Sequence, residues 1–158
     1  MDKLKIYIDT SVIGGCFDDE FSKYSNALVD KFRNGLLVPV ISDTVKKEIK
    51  NAPPLVRTKY DEILTYNAIY LKTTDEIDNL VLEYLNKKIV TKKYEDDCYH
   101  IALATINKVD VLVSWNFKHI VDNRRIILFN TVNKNLNYDE IIINDPTEFL
   151  GFGRYQLQ

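Results

Sequence analysis

Cysteine is scarce: Cys16 and Cys98 are the only two in 158 residues, and neither belongs to a Cys-x-x-Cys pair. That spacing gives no support to zinc binding or to thioredoxin-like chemistry, and two isolated thiols suit a reducing compartment. Long apolar runs are missing too. No segment reaches the ~18 apolar residues needed to cross a bilayer. In Met1-Asp2-Lys3-Leu4-Lys5-Ile6-Tyr7-Ile8-Asp9 the acid interrupts any apolar signal region. A cytoplasmic protein with no membrane association is therefore expected. Only five glycines are present, and Gly14-Gly15 lacks the Lys-Ser/Thr ending of a phosphate-binding loop. Nor is there an excess of one charge: 21 basic against 23 acidic residues leave a net −2. This disfavours a protein that coats nucleic acid non-specifically, but not an enzyme that touches a few phosphates. The pairs Lys46-Lys47, Lys87-Lys88 and Lys92-Lys93 read as solvated helix faces or ends.

What is present is apolar material, 46% of the chain. A domain of this size buries roughly 68–70% of the surface its unfolded chain exposes, so one core and one domain over residues 1–158 are expected. Leu4–Ile8 reads as a buried strand ending at Asp9, with Thr10-Ser11 and Gly14-Gly15 as a turn. Helical spacing marks about 20–33, where Phe21, Tyr24, Leu28 and Phe32 share a stripe. Leu36–Ile41 is a second strand, and Ser42-Asp43-Thr44 caps a helix over Val45–Lys50. Helices follow at Leu55–Thr65, Asp75–Lys88 and Asp96–Lys108, with short strands at Ala68–Leu71 and Val111–Ser114. A short helix is expected at Trp115–Val121. Ile126–Phe129 is open between strand and helix, Asn130–Asn137 is weakly specified, and Ile141–Ile143 is a last strand. Strands alternating with helices argue for a parallel sheet covered on both faces, with ligands beyond the strands' carboxyl ends. Asp9 and Ser114 both stand there.

The acids carry the chemical signal, each with a structural alternative. Asp9 is either a cap for the segment after its strand or a carboxylate at a strand end, a common position for metal ligands. Glu48 shares a helical face with Val45, Ile49 and Ala52, where a charge is costly unless paired or bound to a cation. Lys46 and Lys47 lie elsewhere on that helix, so the choice is between an ion pair at the core's edge and a ligand. Asp97 opens the apolar helix and could favour its dipole, yet Glu95 and Asp96 beside it bring more charge than capping needs. Carboxylates gathered in one place repel, and a divalent ion relieves the repulsion. Hard cations such as Mg2+ or Mn2+ prefer oxygen ligands. Such an ion polarises a phosphoryl oxygen and acidifies bound water, so phosphodiester hydrolysis is the matching chemistry.

Four segments extend this reading to a family. Ile6-Tyr7-Ile8-Asp9-Thr10-Ser11-Val12, Val40–Ile49 with Glu48, Asp97-Cys98-Tyr99-His100-Ile101-Ala102-Leu103-Ala104, and Val111–Ile120 with Ser114-Trp115-Asn116-Phe117-Lys118-His119 resemble the metal-site blocks of PIN domains. The likeness is to the kind found in VapC toxins of prokaryotic toxin–antitoxin pairs, in a subgroup with Ser-Trp-Asn-Phe-x-His. The resemblance implies a three-layer α/β/α sandwich with a mainly parallel sheet. It also implies a divalent-metal-dependent endoribonuclease, commonly a homodimer, with a small antitoxin as partner. Carried over position by position, Asp9, Glu48 and Asp97 are the metal ligands and, with Asn116, the catalytic set. Ser11, Asp96, His100, Ser114 and His119 are candidate supporting or RNA-contacting groups. His100 is expected in the core or behind the ligands, His119 mainly in a structural role, and Trp115 and Phe117 in packing. Asn116 stands where the family usually carries Asp. It offers an amide oxygen without charge, and Asp122 is a candidate substitute.

Two other classes stay in view. A PIN-fold module with little or no turnover, binding RNA or a protein partner, takes its support from Asn116. A haloacid-dehalogenase-type phosphohydrolase also begins with a strand and an Asp, but needs a second Asp where Ser11 stands.

Overall fold

In a computed structural model, residues 2–151 are described; the remainder of the expected 1–158 domain lies outside them. Five strands form one sheet: β1 Lys5–Ile8, β2 Val38–Ser42, β3 Ile69–Leu71, β4 Val111–Val113 and β5 Ile143–Asn144. Their order is β3-β2-β1-β4-β5 and every pairing is parallel, with Tyr7 opposite Val40 on one side and Leu112 on the other. Parallel neighbours need crossovers, and the helices supply them: α1 Thr10–Gly15, α2 Ser22–Arg33, α3 Asp43–Ile49, α4 Pro54–Leu64, α5 Asp75–Asn86, α6 Glu95–Ile106, α7 Asn123–Asn135 and α8 Pro146–Phe149. Helices α1, α2 and α4 pack together, as do α5, α6 and α7, which makes the α/β/α layering expected of a covered parallel sheet.

The strand order turns around at β1: the chain builds outward to β2 and β3, then returns to lay β4 against β1's other edge. Crevices for ligands form at such reversal points, outside the carboxyl ends of the strands. Ile6, Tyr7, Ile8, Leu112 and Val113 are all 0% exposed, so β1 and β4 bring their last residues to this edge on a rigid, fully packed base.

Several local expectations differ from the fold. The turn after β1 is a helix, α1, because the Asp9 side chain accepts from Val12 N at 3.3 Å and so caps it. Trp115–Val121 holds no helix. Side chains take over its bonding: Ser114 Oγ accepts from Asn116 N at 2.9 Å, and Asn116 Oδ1 accepts from His119 N at 3.0 Å. This local competition with helical bonding is typical of Ser and Asn. Ile126–Phe129 is helical, and the asparagine-rich stretch continues that helix to Asn135. The last strand is Ile143–Asn144, two residues later than Ile141-Ile142-Ile143 suggests, because Asn130 takes both backbone groups of Ile141.

Among the described glycines, Gly15 is the one whose missing side chain the packing demands. A Cβ there would stand 2.6 Å from Ser25 Oγ and 2.8 Å from Trp115 Nε1. Those two atoms form a 2.8 Å hydrogen bond beneath the carboxyl edge of the sheet. Gly15→Ala should therefore break that bond and cost about 1–3 kcal/mol. Trp115 is the only tryptophan, so a shifted emission spectrum together with a lowered unfolding midpoint is the expected readout.

Candidate functional site

Asp9 directly follows β1 and is buried, 4% exposed. Its Oδ1 accepts from Ser11 Oγ at 2.6 Å as well as from Val12 N, and its Oδ2 accepts from Ser114 Oγ at 2.6 Å. The Ser114 bond bridges the ends of β1 and β4 across the reversal point. Ser11 Oγ also accepts from Trp115 N at 2.9 Å, so Ser11 and Ser114 fix the carboxylate from both sides. Burial pushes the Asp9 pKa up; the charge of His100 and the two serine bonds oppose this, and Glu48's charge adds to the rise. Capping and strand-end presentation are thus both true of Asp9.

Glu48 lies on α3, with Val45 and Ile49 buried on the same helix. Its partners come from across the site. Thr10 Oγ1 donates to Oε1 at 3.0 Å, and His100 Nε2 meets the same oxygen at 2.7 Å. Burial alone would raise the Glu48 pKa, but the His100 bond and charge, with Thr10, outweigh it and hold the carboxyl below its usual value. His100, 2% exposed, is held on its other nitrogen by Tyr7 Oη at 2.7 Å, and Tyr7 Oη in turn bonds Ser42 Oγ at 2.7 Å. Burial would lower the His100 pKa; its bond to Glu48 and the charges of Glu48, Asp9 and Asp97 reverse that, and the ring sits above its usual value. A protonated His100 donates from both nitrogens, to Tyr7 and to Glu48.

Asp97 lies in the first turn of α6, which runs back along the sheet toward β4 and so begins at the carboxyl edge. Its side chain does not cap the helix. Oδ1 accepts from Asn116 Nδ2 at 3.1 Å, and Oδ2 meets His119 Nδ1 at 2.9 Å. Burial pushes the Asp97 pKa up, His100 and His119 oppose it, and Asp9's charge raises it further. Asp9 thus feels Glu48, and Asp97 feels Asp9: the three acids share one electrostatic neighbourhood. Asn116 and His119, from the loop after β4, close its fourth side.

Among the candidates, Asp9, Glu48, Asp97, Asn116, Ser11, Ser114, His100 and His119 come together. Asp96 does not join them; it turns outward to pair with Lys47 at 2.7 Å. Asp122 is no substitute for a fourth acid, because it caps α7 through Arg125 N and pairs with the Arg125 side chain. Trp115 packs as expected, stacked on Phe21 with ring centroids 4.1 Å apart, whereas Phe117 is 48% exposed. Sequence reasoning missed Tyr7, Thr10 and Ser42. A phenol in an otherwise aliphatic, doubly buried strand was the available signal, since a buried hydroxyl needs a partner.

The donor set suits a hard cation: three carboxylates, with the Asn116 amide presenting its nitrogen to Asp97 and its oxygen to His119 N. Among the described residues no three His, Cys, Asp or Glu groups already stand together as a ligand cluster. The carboxylates are instead engaged by hydrogen-bond donors. Asp97 is held by Asn116 and His119, and Glu48 by His100 through Oε1, while Glu48 Oε2 takes part in neither of its two bonds. An ion would compete with these donors for carboxylates that are already fixed in orientation. No helix of the described residues is long and apolar enough to cross a membrane.

Neither a protein-family model nor a curated protein matches the sequence. Among solved structures, the chain is similar to one in the crystal structure of VapBC2 from Rickettsia felis bound to a DNA fragment from their promoter. The superposition has a TM-score of 0.55 at 16% identity and covers 90% of this chain and 98% of the other. With its five-stranded parallel sheet between helices, the chain has an α/β PIN-like fold.

Proposed function

We propose that this protein is a divalent-metal-dependent endoribonuclease, the toxin of a prokaryotic toxin–antitoxin pair, acting in the cytoplasm as a homodimer restrained by a small antitoxin. The observation that carries the reading is the convergence of Asp9, Glu48 and Asp97 on the strand-order reversal point, each carboxylate fixed by neighbouring donors. The fold likeness to a VapBC2 chain supports the same assignment. In this reading Asp9, Glu48 and Asp97 hold Mg2+ or Mn2+, with the Asn116 amide donating to Asp97 from the fourth side. When bound, the ion supplies charge to the phosphoryl oxygens and a more acidic water. The chain's own groups orient the site. Ser11 and Ser114 lock Asp9, the Tyr7–His100 pair aims Glu48, and His119 holds Asp97.

The test is direct. Purified full-length protein with Mn2+ should cleave RNA internally, and EDTA should stop it. A well-folded sample that cleaves nothing with either Mg2+ or Mn2+ would favour the second reading, a binding module, for which Asn116 is the support.

Asn116 yields a prediction with two opposite signs. Asn116→Asp removes the amide that donates to Asp97 and sets a second carboxylate against it. Without metal the variant should lose about 1–2 kcal/mol of stability. With Mn2+ the added charge should tighten binding about tenfold. Thermal unfolding with EDTA and with saturating Mn2+ reads both signs in one experiment.

A further inference from the structure

A cationic cluster stands beside the acidic site. Tyr94 precedes α6, at the end of a single 3-10 turn over Lys92–Tyr94, and its half-buried ring lies against the His119 ring with centroids 4.1 Å apart. Lys93 Nζ lies 5.5 Å from the Tyr94 ring centroid, and Lys118 Nζ lies 5.3 Å from it. These two lysines are far apart in sequence, one before α6 and one in the loop after β4, and meet over one ring. Both are exposed, and neither is paired with a carboxylate among the described residues, unlike Lys47, which neutralises Asp96. The Lys118 loop is held in position, since Arg125 donates to Lys118 O at 3.0 Å and to Ile89 O at 3.2 Å. One side chain links the cluster to the acids: His119 touches Tyr94 on its ring and Asp97 through Nδ1.

We propose that Lys93 and Lys118, steadied over Tyr94, form a phosphate clamp that seats the backbone of a single-stranded RNA next to the acidic site. The clamp rests on the ribonuclease reading above and adds to it where the substrate strand lies. A chain of net charge −2 without a basic arm needs local cations to bring a polyanion up to carboxylates. Two unpaired ammoniums held by one ring supply them. Cation–π contact with Tyr94 limits their wandering and leaves their N–H donors free for phosphate oxygens. The clamp acts in binding rather than in the chemical step.

The experiment measures RNA binding apart from cleavage. A fluorescently labelled single-stranded RNA oligonucleotide is titrated with full-length protein in EDTA and followed by anisotropy across a salt series. The Lys93→Ala/Lys118→Ala variant should bind roughly tenfold more weakly at low salt, and its log Kd against log[salt] slope should fall by about 1.4, two single-strand phosphate contacts. Lys93→Arg/Lys118→Arg should restore both. Lys87→Ala/Lys134→Ala, at the far ends of α5 and α7, should bind like the wild type. An alanine variant with wild-type affinity and slope, in a protein that itself binds and cleaves RNA, overturns the clamp alone. A wild-type protein that binds no RNA in EDTA overturns the clamp, and the ribonuclease reading falls with it if the same protein also cleaves none with Mn2+.

Discussion

Asp9→Asn is expected to lower RNA cleavage by more than about 100-fold, since even residues behind a metal's ligands cost 10–100-fold when changed, and to leave the fold intact. The amide oxygen keeps the bonds from Ser11 and Val12, and Asn caps a helix about as well as Asp. The Ser114 hydroxyl, which donates to Asp9 Oδ2, can rotate and accept from the new amide. Stability should move in the opposite direction from activity. Burial raises the Asp9 pKa in the folded protein, so near neutral pH its charge disfavours the native state. Removing the charge relieves that, and the metal-free variant should melt at or above the wild-type temperature. A variant that loses activity by unfolding would instead melt lower. Parallel melting curves in EDTA and cleavage assays in Mn2+ separate the two outcomes.

The largest expected loss of stability lies away from the site. Asn133 is fully buried. Its Oδ1 accepts from Tyr84 Oη at 2.5 Å, and its Nδ2 donates to Thr105 Oγ1 at 3.3 Å and Asn130 Oδ1 at 3.2 Å. Asn130 then bonds both backbone groups of Ile141, just before β5. The network joins α5, α6, α7 and the edge strand. Asn133→Leu fills similar volume but strands several buried polar groups, each costing about 1–3 kcal/mol. A loss of about 3 kcal/mol is expected, with the midpoint falling by about 6–12 °C for a chain of this size. Thermal unfolding followed by circular dichroism checks it, and a midpoint within 2 °C of wild type (~2 °C is the least shift expected for 1 kcal/mol) would mean the network contributes little.

That same network shows why part of the fold was hard to read. Periodicity marks a helix by its apolar stripe, but α7 buries asparagines, so Asn130–Asn137 is weakly specified in sequence and is helix to Asn135. Trp115–Val121 misleads in the other direction. Its spacing is compatible with a helix, yet the side chains of Ser114 and Asn116 take the backbone donors and fold it into turns. Where apolar residues do the burying, as in β1, β2, β4, α5 and α6, pattern and structure agree: short continuous apolar runs mark strands buried on both faces, a one-sided stripe marks α5, and a helix apolar over most of its surface marks the buried α6.

The site was legible in a different way. Asp9 and Ser114 could be assigned to a strand-end edge because parallel strands bring their carboxyl ends together, and Glu48 stood out as a charge on an apolar face. What sequence could not give was the pairing. Glu48 depends on Thr10, the first residue of α1, and on His100, from α6, while Tyr7 joins Ser42 to His100 through the middle of the sheet. Those contacts arise only when β1, β2 and α6 are brought side by side. Asp96 shows the converse: one residue from Asp97 in sequence, it points to Lys47 and the surface, because neighbouring helix residues face about 100° apart.

In the proposed site, Asp9, Glu48 and Asp97 together bind a divalent cation. Calorimetric titration of Mn2+ into the full-length protein tests it without relying on turnover. Saturable binding is expected, lost in Asp9→Asn and in Asp97→Asn while both variants keep the wild-type circular dichroism spectrum. Binding with the same affinity in the variants, or no binding to a well-folded wild-type protein, would contradict it.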